Sequence, residues 1–364
     1  MAKIKFSGPF RFRLSSFFTL SRIAMATYAR RALGKRREPG WDVNSEIGIR
    51  FWRHQFTRAM TQTDMGKGRA IFDSLMTETD DIYRVSVEKS ANPKSRWYRP
   101  RALASKATLL YFHGGGYTFN GPVSERFAAM LAHHAQAVVF MPDYRLTPEH
   151  PHPAQAEDAL AAWRFVAQQT PAEQIVVIGD SAGGHMALML LQTLKAEGLS
   201  QPGLCIGLCP WTDIGKRGES LHGNDRYDLV QGWMALQFGQ WLDPEGGYGR
   251  KKLSPIAYDY SGLAPLYLQS GGHEILHDMI CDFAEVQAAK GAHVMLDVWK
   301  DMPHDFQAYD SLTQASSEAL ERIRLAVAAQ CDANAPLQPT GATIVHAGQS
   351  SVRPTSNAMP AAPE

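Results

Sequence analysis

The 364-residue chain has few cysteines and no long apolar run, and both features limit the classes of protein to which it can belong. Its four cysteines, at 205, 209, 281 and 331, lack the paired spacing typical of a zinc site. They favour reduced core cysteines and a cytoplasmic location over a disulfide framework. No stretch approaches the roughly 20 apolar residues of a transmembrane helix. A chain of this length can bury a large core without disulfides or metal.

The net charge is only +1, but the basic residues are concentrated at the N-terminus. Residues 1–38 contain ten Lys or Arg and a single acidic residue, Glu38. No nucleic-acid motif accompanies them, so we expect no nucleic-acid partner. The spacing of Leu14, Phe17 and Phe18 predicts an amphipathic helix that begins near Pro9. Two interpretations fit this helix: peripheral contact with an anionic membrane, or packing over the rest of the protein.

The chain from about residue 107 alternates short apolar runs with helical patterns. Such continuously apolar strands, separated by helices, predict a mostly parallel sheet covered on both faces. Before this region, Ile82–Lys89 and Ser95–Arg101 predict an antiparallel hairpin. The predicted later strands are Ala107–Phe112, Ala137–Met141, Gln174–Ile178, Leu204–Leu208, Pro265–Gln269 and His293–Trp299.

Ser181 is the candidate nucleophile. It lies in the segment Gly-Asp-Ser-Ala-Gly, residues 179–183, between a predicted strand and a predicted helix. In this context the G-x-S-x-G pattern indicates a catalytic serine. A sharp turn between strand and helix, the nucleophile elbow, exposes the serine, and its small neighbours let the strand and the helix approach each other. The helix N-terminus favours the negative charge that develops during attack.

Three consecutive glycines, Gly114, Gly115 and Gly116, follow the predicted strand that ends at Phe112. Glycines let backbone N–H groups converge where side chains would clash. Together with the N–H of Ala182, they form a candidate oxyanion hole. A phosphate-binding loop is the alternative, but the Lys-Ser/Thr pair of a P-loop does not follow.

Three motifs in order resemble the hormone-sensitive-lipase family of esterases and lipases. They are HGGG at 113–116, DYRLTPEHPHP at 143–153 and GDSAGG at 179–184, and the match runs from about residue 107 to 326. The resemblance implies an α/β-hydrolase fold with an eight-stranded, mostly parallel sheet and a helical cap. It assigns the 143–153 block a structural role. Family members often pair through the last strand and helix, which implies a possible homodimer.

The resemblance, with the composition, predicts four parts. Residues 1–75 form a basic helical segment that is part of the cap. Residues 76–215 and 261–332 form the catalytic domain. Residues 216–260 form a cap insertion, in which Leu229, Trp233, Leu236 and Trp241 fit one helical face. Residues 333–364, rich in Ala, Pro, Ser, Thr and Gly, form a disordered tail.

The general base is expected to be a histidine after the acid in chain order. His304 follows the last predicted strand in a short loop and matches the family's His-Gly-Phe position, with Asp305 replacing the glycine. The family usually has Asp-Pro-Leu-x-Asp near residue 274. Here Glu274 falls on the first acidic position, and Asp278, the alternative acid, on the second. In the family the first of these acids orients the histidine, so the resemblance favours Glu274. A carboxylate must accept the imidazole N–H, and Glu can do so with one more methylene of reach.

Several aromatic residues are candidates for a substrate pocket. Tyr117 and Phe119 follow the glycine loop, and Trp211 follows the strand after the nucleophile helix. In the cap, Trp233 and Phe238 are further candidates. The alternative for each of them is ordinary core packing.

The resemblance implies a serine carboxylic ester hydrolase that acts through an acyl-enzyme on short- to medium-chain acyl esters or lactones. No metal or cofactor is expected. One alternative is a membrane-surface lipase or an amidase that uses the same triad. Another is a non-catalytic small-molecule receptor, but relatives that became receptors lost the catalytic histidine, whereas His304 is present here.

Overall fold

A computed structural model describes residues 4–74, 76–78, 83–332 and 335–346. Within these residues, nine strands form one sheet, in the order β11-β10-β9-β8-β7-β5-β6-β4-β3. Neighbours from β5 to β10 are parallel, and β3, β4 and β11 pair antiparallel. The strands are β3 Val85–Ala91, β4 Lys94–Pro100, β5 Thr108–Phe112, β6 Val138–Pro142, β7 Ile175–Asp180, β8 Leu204–Leu208, β9 Leu266–Gly271, β10 Val294–Trp299 and β11 Thr343–His346.

Helices cover both faces of this sheet. They are α4 Pro122–Ala135, α5 Ala154–Ala167, α6 Ala182–Ala196, α10 His277–Ala289 and α11 Gln314–Cys331. The predicted mostly parallel sheet flanked by helices is confirmed, and so is the opening hairpin, formed by β3 and β4.

Alternate side chains of the central strands enter two separate cores. Leu109 and Tyr111 of β5 belong to a core with α4 and α11, whereas Leu110 and Phe112 belong to a core with α5, α6 and α10. Every residue of β5 is buried, as expected for a strand covered on both faces.

The sheet has nine strands rather than the expected eight because β11 pairs with β10, with Met295 opposite His346. The prediction of a disordered tail is therefore wrong for residues 343–346, which form this strand. The strand is only four residues long, and its Thr-Ile-Val-His sequence is too short to be recognised as a strand within a polar, proline-rich region. Residues 333–334 and 347–364 lie outside the described residues.

The N-terminal segment contains β1 Ile4–Phe6, α1 Phe10–Ala32, α2 Val43–Met60, α3 Met65–Phe72 and β2 Met76–Glu78, which pairs with β1. The predicted helix near Pro9 is thus α1. Segment 216–260 contains α7 Ser220–Gly223, α8 Gly232–Leu242 and α9 Arg250–Leu253. Short 3₁₀ turns occupy Ala172–Gln174, Pro255–Ala257 and Phe306–Leu312. None of the helices in the described part of the chain combines the length and apolar character that a membrane crossing needs.

The N-terminal segment and segment 216–260 contact each other, and both contribute residues to the cavity beside Ser181. The Arg53 guanidinium of α2 donates to the backbone carbonyls of Asp225 and Asp228 and to Gln231 Oε1. In α8 the predicted face is wrong. Trp233 is 37% exposed, and the buried positions of α8 are instead Gly232, Met234, Ala235, Phe238, Gly239 and Leu242.

Candidate active site

Ser181 occupies a sharp elbow between β7 and α6. Its φ of 53° and ψ of −118° lie outside the regions that L-residues prefer. A Cβ on Gly183 would clash with the carbonyl oxygen of Phe112, and one on Gly179 would clash with the backbone of Gly183. Glycine at these positions therefore lets the helix cross close to the strand, and the elbow points Ser181 into a cavity.

The glycine loop after β5 borders the same cavity. Gly115 and Gly116 line it with Ala182, and both glycines have positive φ, of 96° and 62°. Among the described residues, their N–H groups have no hydrogen-bond partner. The prediction that Gly114 is a donor is wrong, because its N–H donates to Asp180 Oδ1 at 2.9 Å.

His113 and Tyr144 support the glycine loop from behind. Their rings stack at a centroid distance of 4.2 Å, and Tyr144 donates its hydroxyl proton to the carbonyl of His113 at 2.7 Å. Burial lowers the pKa of His113 to about 4, so its imidazole is neutral. Tyr144 belongs to the 143–153 block, and this contact gives the block a structural role next to the site.

His304 and Glu274 form a buried pair. His304 Nδ1 lies 2.7 Å from Glu274 Oε2, and the side chains are 2% and 0% exposed. The other oxygen of Glu274 accepts from Ser270 Oγ and from the N–H of Gly271, both at 2.8 Å. Neutral donors thus fix one oxygen of Glu274, and its other oxygen orients the imidazole.

Asp278, the alternative acid, lies elsewhere. It is in the first turn of α10, and its Oδ2 accepts from the N–H of Ser220 at 2.9 Å. The structure therefore brings Glu274, and not Asp278, to His304.

Asp305 lies on the opposite side of the imidazole. Its Oδ2 is 3.4 Å from His304 Nε2, and it lines the cavity together with Ser181. Its φ of 52° and ψ of 34° are left-handed, which explains why glycine is common at this position in the resembling family. Burial lowers the pKa of His304, but the carboxylates of Asp305 and Glu274 outweigh it and raise this pKa to about 10.

The cavity beside Ser181 has a volume of about 30 Å³. Trp211 and Phe238 line it, whereas Tyr117 and Phe119 do not. Phe119 is fully buried and stacks on Phe72, so it is a core residue. The hydroxyl of Tyr117 is hydrogen-bonded to His185 Nδ1, and Tyr117 borders a separate cavity of about 290 Å³.

Other lining residues escaped the sequence analysis. Phe56 comes from α2, Val230 from segment 216–260, and Ile275 and Leu276 follow Glu274. Phe56 lies 125 positions before Ser181 in an amphipathic helix whose buried face carries no signal of a pocket.

Asp228 is a second group that the sequence analysis missed. This fully buried residue of segment 216–260 accepts the N–H of His304 at 3.1 Å and the N–H of Ile275 at 2.7 Å. It thereby joins the loop of the base to the loop of the acid. Burial raises its pKa to about 6. Because its partners lie 76 and 47 positions away, no local pattern marks it.

One group of potential metal ligands occurs in the described part of the chain. Atoms of Cys209, His304 and Asp305 lie within 4.8 Å of one another. However, burial raises the pKa of the Cys209 thiol well above its usual value, and a neutral thiol is a poor ligand. His304 Nδ1 is already engaged by Glu274. The donor set thus suits a catalytic triad better than a metal ion.

Comparison with known proteins places this geometry in a family. A model of the α/β-hydrolase fold matches residues 109–308. An acetyl-hydrolase of Streptomyces hygroscopicus is 33% identical over 236 residues, which cover 62% of this chain and 77% of that protein. An ethyl acetate hydrolase of Pseudomonas putida is 31% identical over 248 residues, covering 63% and 76%. A crystal structure of a hormone-sensitive lipase from a metagenome library has a TM-score of 0.68 and 27% identity, covering 77% and 98%.

The family model spans more than half of the chain and includes the strand before the glycine loop, the elbow and the histidine loop. The sequence relatives are named as an acetyl-hydrolase, an esterase and an ethyl acetate hydrolase. The chain therefore belongs to the α/β-hydrolase fold family, within its hormone-sensitive-lipase-like branch, and is a carboxylesterase-type hydrolase.

Proposed function

We propose that the enzyme hydrolyses carboxylic esters through an acyl-enzyme formed on Ser181. The observation that carries this proposal is the buried His304–Glu274 pair at the same cavity as Ser181. A serine hydroxyl needs a base to become a nucleophile, and the base needs a carboxylate to fix its tautomer.

In the proposed first step, Ser181 Oγ attacks the ester carbonyl carbon while His304 Nε2 accepts its proton. Glu274 accepts the Nδ1 proton and stabilises the imidazolium that forms. The N–H groups of Gly115, Gly116 and Ala182 bind the oxyanion, and each such donor contributes about 3–4 kcal/mol in comparable sites.

His304 then gives its proton to the alcohol oxygen, and the alcohol leaves. Water attacks the acyl-enzyme with His304 again as base, and the tetrahedral intermediate collapses to release the acid and restore Ser181. In these steps the chain's own residues supply the nucleophile, the base and the oxyanion donors, and water is the second substrate.

Short acyl chains are the proposed substrates. A cavity of about 30 Å³ holds two or three water-sized groups, which suits an acetyl or similar acyl group. The relatives named acetyl-hydrolase and ethyl acetate hydrolase support the same range.

A panel of p-nitrophenyl esters from acetate to palmitate tests this proposal. We expect kcat/KM to be highest at two to four acyl carbons and to fall by at least about tenfold by twelve. An optimum at long chains or on a triglyceride emulsion would favour a lipase instead. Faster turnover of acetanilides than of the matched esters would favour an amidase.

We further propose that α1 contacts anionic membrane surfaces. Its outward face carries a row of exposed apolar side chains at helical spacing, including Phe10 and Phe18, which are 72% and 62% exposed. The exposed Arg11, Arg13 and Arg22 flank this row. An apolar row bordered by arginines is typical of helices that lie in a membrane interface.

Pairing of two copies, which the resemblance implies, would here involve β11 because this strand occupies the edge beyond β10. An open strand edge is a template for pairing with another chain. We propose β11 and α11 as the contact if the enzyme is a dimer. Sedimentation velocity of the full chain measures the stoichiometry.

A further inference from the structure

Asp305 places an incompletely partnered carboxylate in the catalytic cavity. Its Oδ1 is buried and, among the described residues, has no hydrogen-bond partner. Its Oδ2 lies 3.4 Å from His304 Nε2, on the side of the imidazole that faces the reacting atoms. The side chain is 22% exposed, so a ligand can reach it. A buried carboxylate oxygen without a donor is costly, and a bound group that supplies positive charge relieves that cost.

The charges around the cavity are unbalanced. Asp305 and Glu274 flank His304, and no Lys or Arg lines the described part of the cavity. With the imidazole protonated and both carboxylates ionised, these three groups carry one net negative charge. Burial and the neighbouring acids raise the pKa of Asp305, so a bound cation would stabilise its ionised form. Asp180 and Asp228, buried nearby, are hydrogen-bonded to neutral groups and leave this excess in place.

We propose that Asp305 makes the enzyme selective for esters whose alcohol part carries a cationic nitrogen. The inference rests on the proposed function of Ser181 and His304. A leaving oxygen must lie within about 3 Å of His304 Nε2 to receive its proton. Because Asp305 Oδ2 is 3.4 Å from the same nitrogen, an ammonium two carbons beyond that oxygen is within reach of the carboxylate when the alcohol chain extends toward Asp305.

The cation also improves the base. The carboxylate of Asp305 raises the pKa of His304, so a smaller fraction of the imidazole is in the neutral form that accepts the serine proton. A positive charge beside Asp305 offsets this field. For a neutral ester no such offset occurs, and the carboxylate also opposes the developing oxyanion.

A pair of isosteric substrates isolates the charge. Acetylcholine and 3,3-dimethylbutyl acetate have the same shape and acyl group, but only the first is cationic. With the full-length enzyme we expect kcat/KM to be about tenfold higher for acetylcholine at low ionic strength, and the ratio to shrink as salt is added. In Asp305→Asn the ratio falls to about one, while kcat/KM for the neutral ester rises.

Asp305→Gly provides a second variant, since glycine suits the left-handed backbone at this position. Glu88→Gln is the matched control, because it removes one negative charge from an exposed site on β3 and keeps the wild-type ratio. A wild-type ratio of one or less, or an unchanged ratio in both Asp305 variants, would overturn the proposal. Turnover of p-nitrophenyl acetate is measured in parallel: if it is robust, such a result counts against Asp305 alone, whereas its absence counts against the ester hydrolase itself.

Discussion

Glu274 stands where the related family commonly carries aspartate, and its extra methylene lets it reach His304 from a short loop after β9. Both of its oxygens are occupied, one by the imidazole and the other by Ser270 and Gly271. A carboxylate so fully satisfied is rigid, which is what an orienting group requires.

Replacing this acid separates the two candidates. We expect Glu274→Gln to lower kcat/KM on p-nitrophenyl acetate by about 10³–10⁴-fold, because the amide stabilises the wrong tautomer of His304. Asp278→Asn, the control, should change it less than about threefold, since the carboxylate of Asp278 accepts from the backbone N–H of Ser220 and not from His304. If Asp278→Asn showed the large loss instead, the role of the acid would belong to Asp278.

Residues of the site differ in how visible they are in the sequence. Ser181 directly follows β7 and His304 lies in the short loop after β10, so local patterns and chain order mark them. Gly114 was misjudged because its N–H is used by Asp180, a contact that spans 66 positions. Asp228 was missed for the same reason, because its structural role depends on hydrogen bonds to loops that are distant in the sequence.

At the scale of elements, long apolar strands were predictable and short or surface-bound elements were not. Strands β5 to β10 are buried runs bounded by helices, and this pattern alone indicates a parallel sheet. By contrast, β11 has four residues, and its strand conformation depends on antiparallel pairing with β10. The α8 face was misassigned because Trp233 is large and apolar yet lies at the surface.

Helix α1 carries the element-scale prediction. We expect the wild-type chain to co-sediment with vesicles of phosphatidylserine and phosphatidylcholine, and Phe10→Ser/Phe18→Ser to reduce the bound fraction at least about threefold, since exposed rings supply apolar area for the interface. Binding should also weaken at high salt. Val87→Ser is the control, as it removes an exposed apolar group from β3. Equal binding by wild type and the double variant would remove the membrane proposal.

At the scale of the whole molecule, the fold brings together groups from distant parts of the chain. The nucleophile, the glycine loop, the acid and the base all follow carboxyl ends of parallel strands, which meet at one edge of the sheet. Phe56 from the N-terminal segment and Phe238 from segment 216–260 line the cavity at this edge. Motif order was enough to predict the first set, whereas the cap contacts depend on how two separate segments pack.

The most direct measurement of the central claim is covalent labelling with a fluorophosphonate probe, followed by peptide mapping. We expect the folded wild-type chain to be labelled at Ser181 and Ser181→Ala to remain unlabelled, because only an activated serine reacts at a useful rate. Circular dichroism checks that both proteins are folded. Labelling of Ser181→Ala at the wild-type rate, or a folded wild type that does not label, would contradict the account.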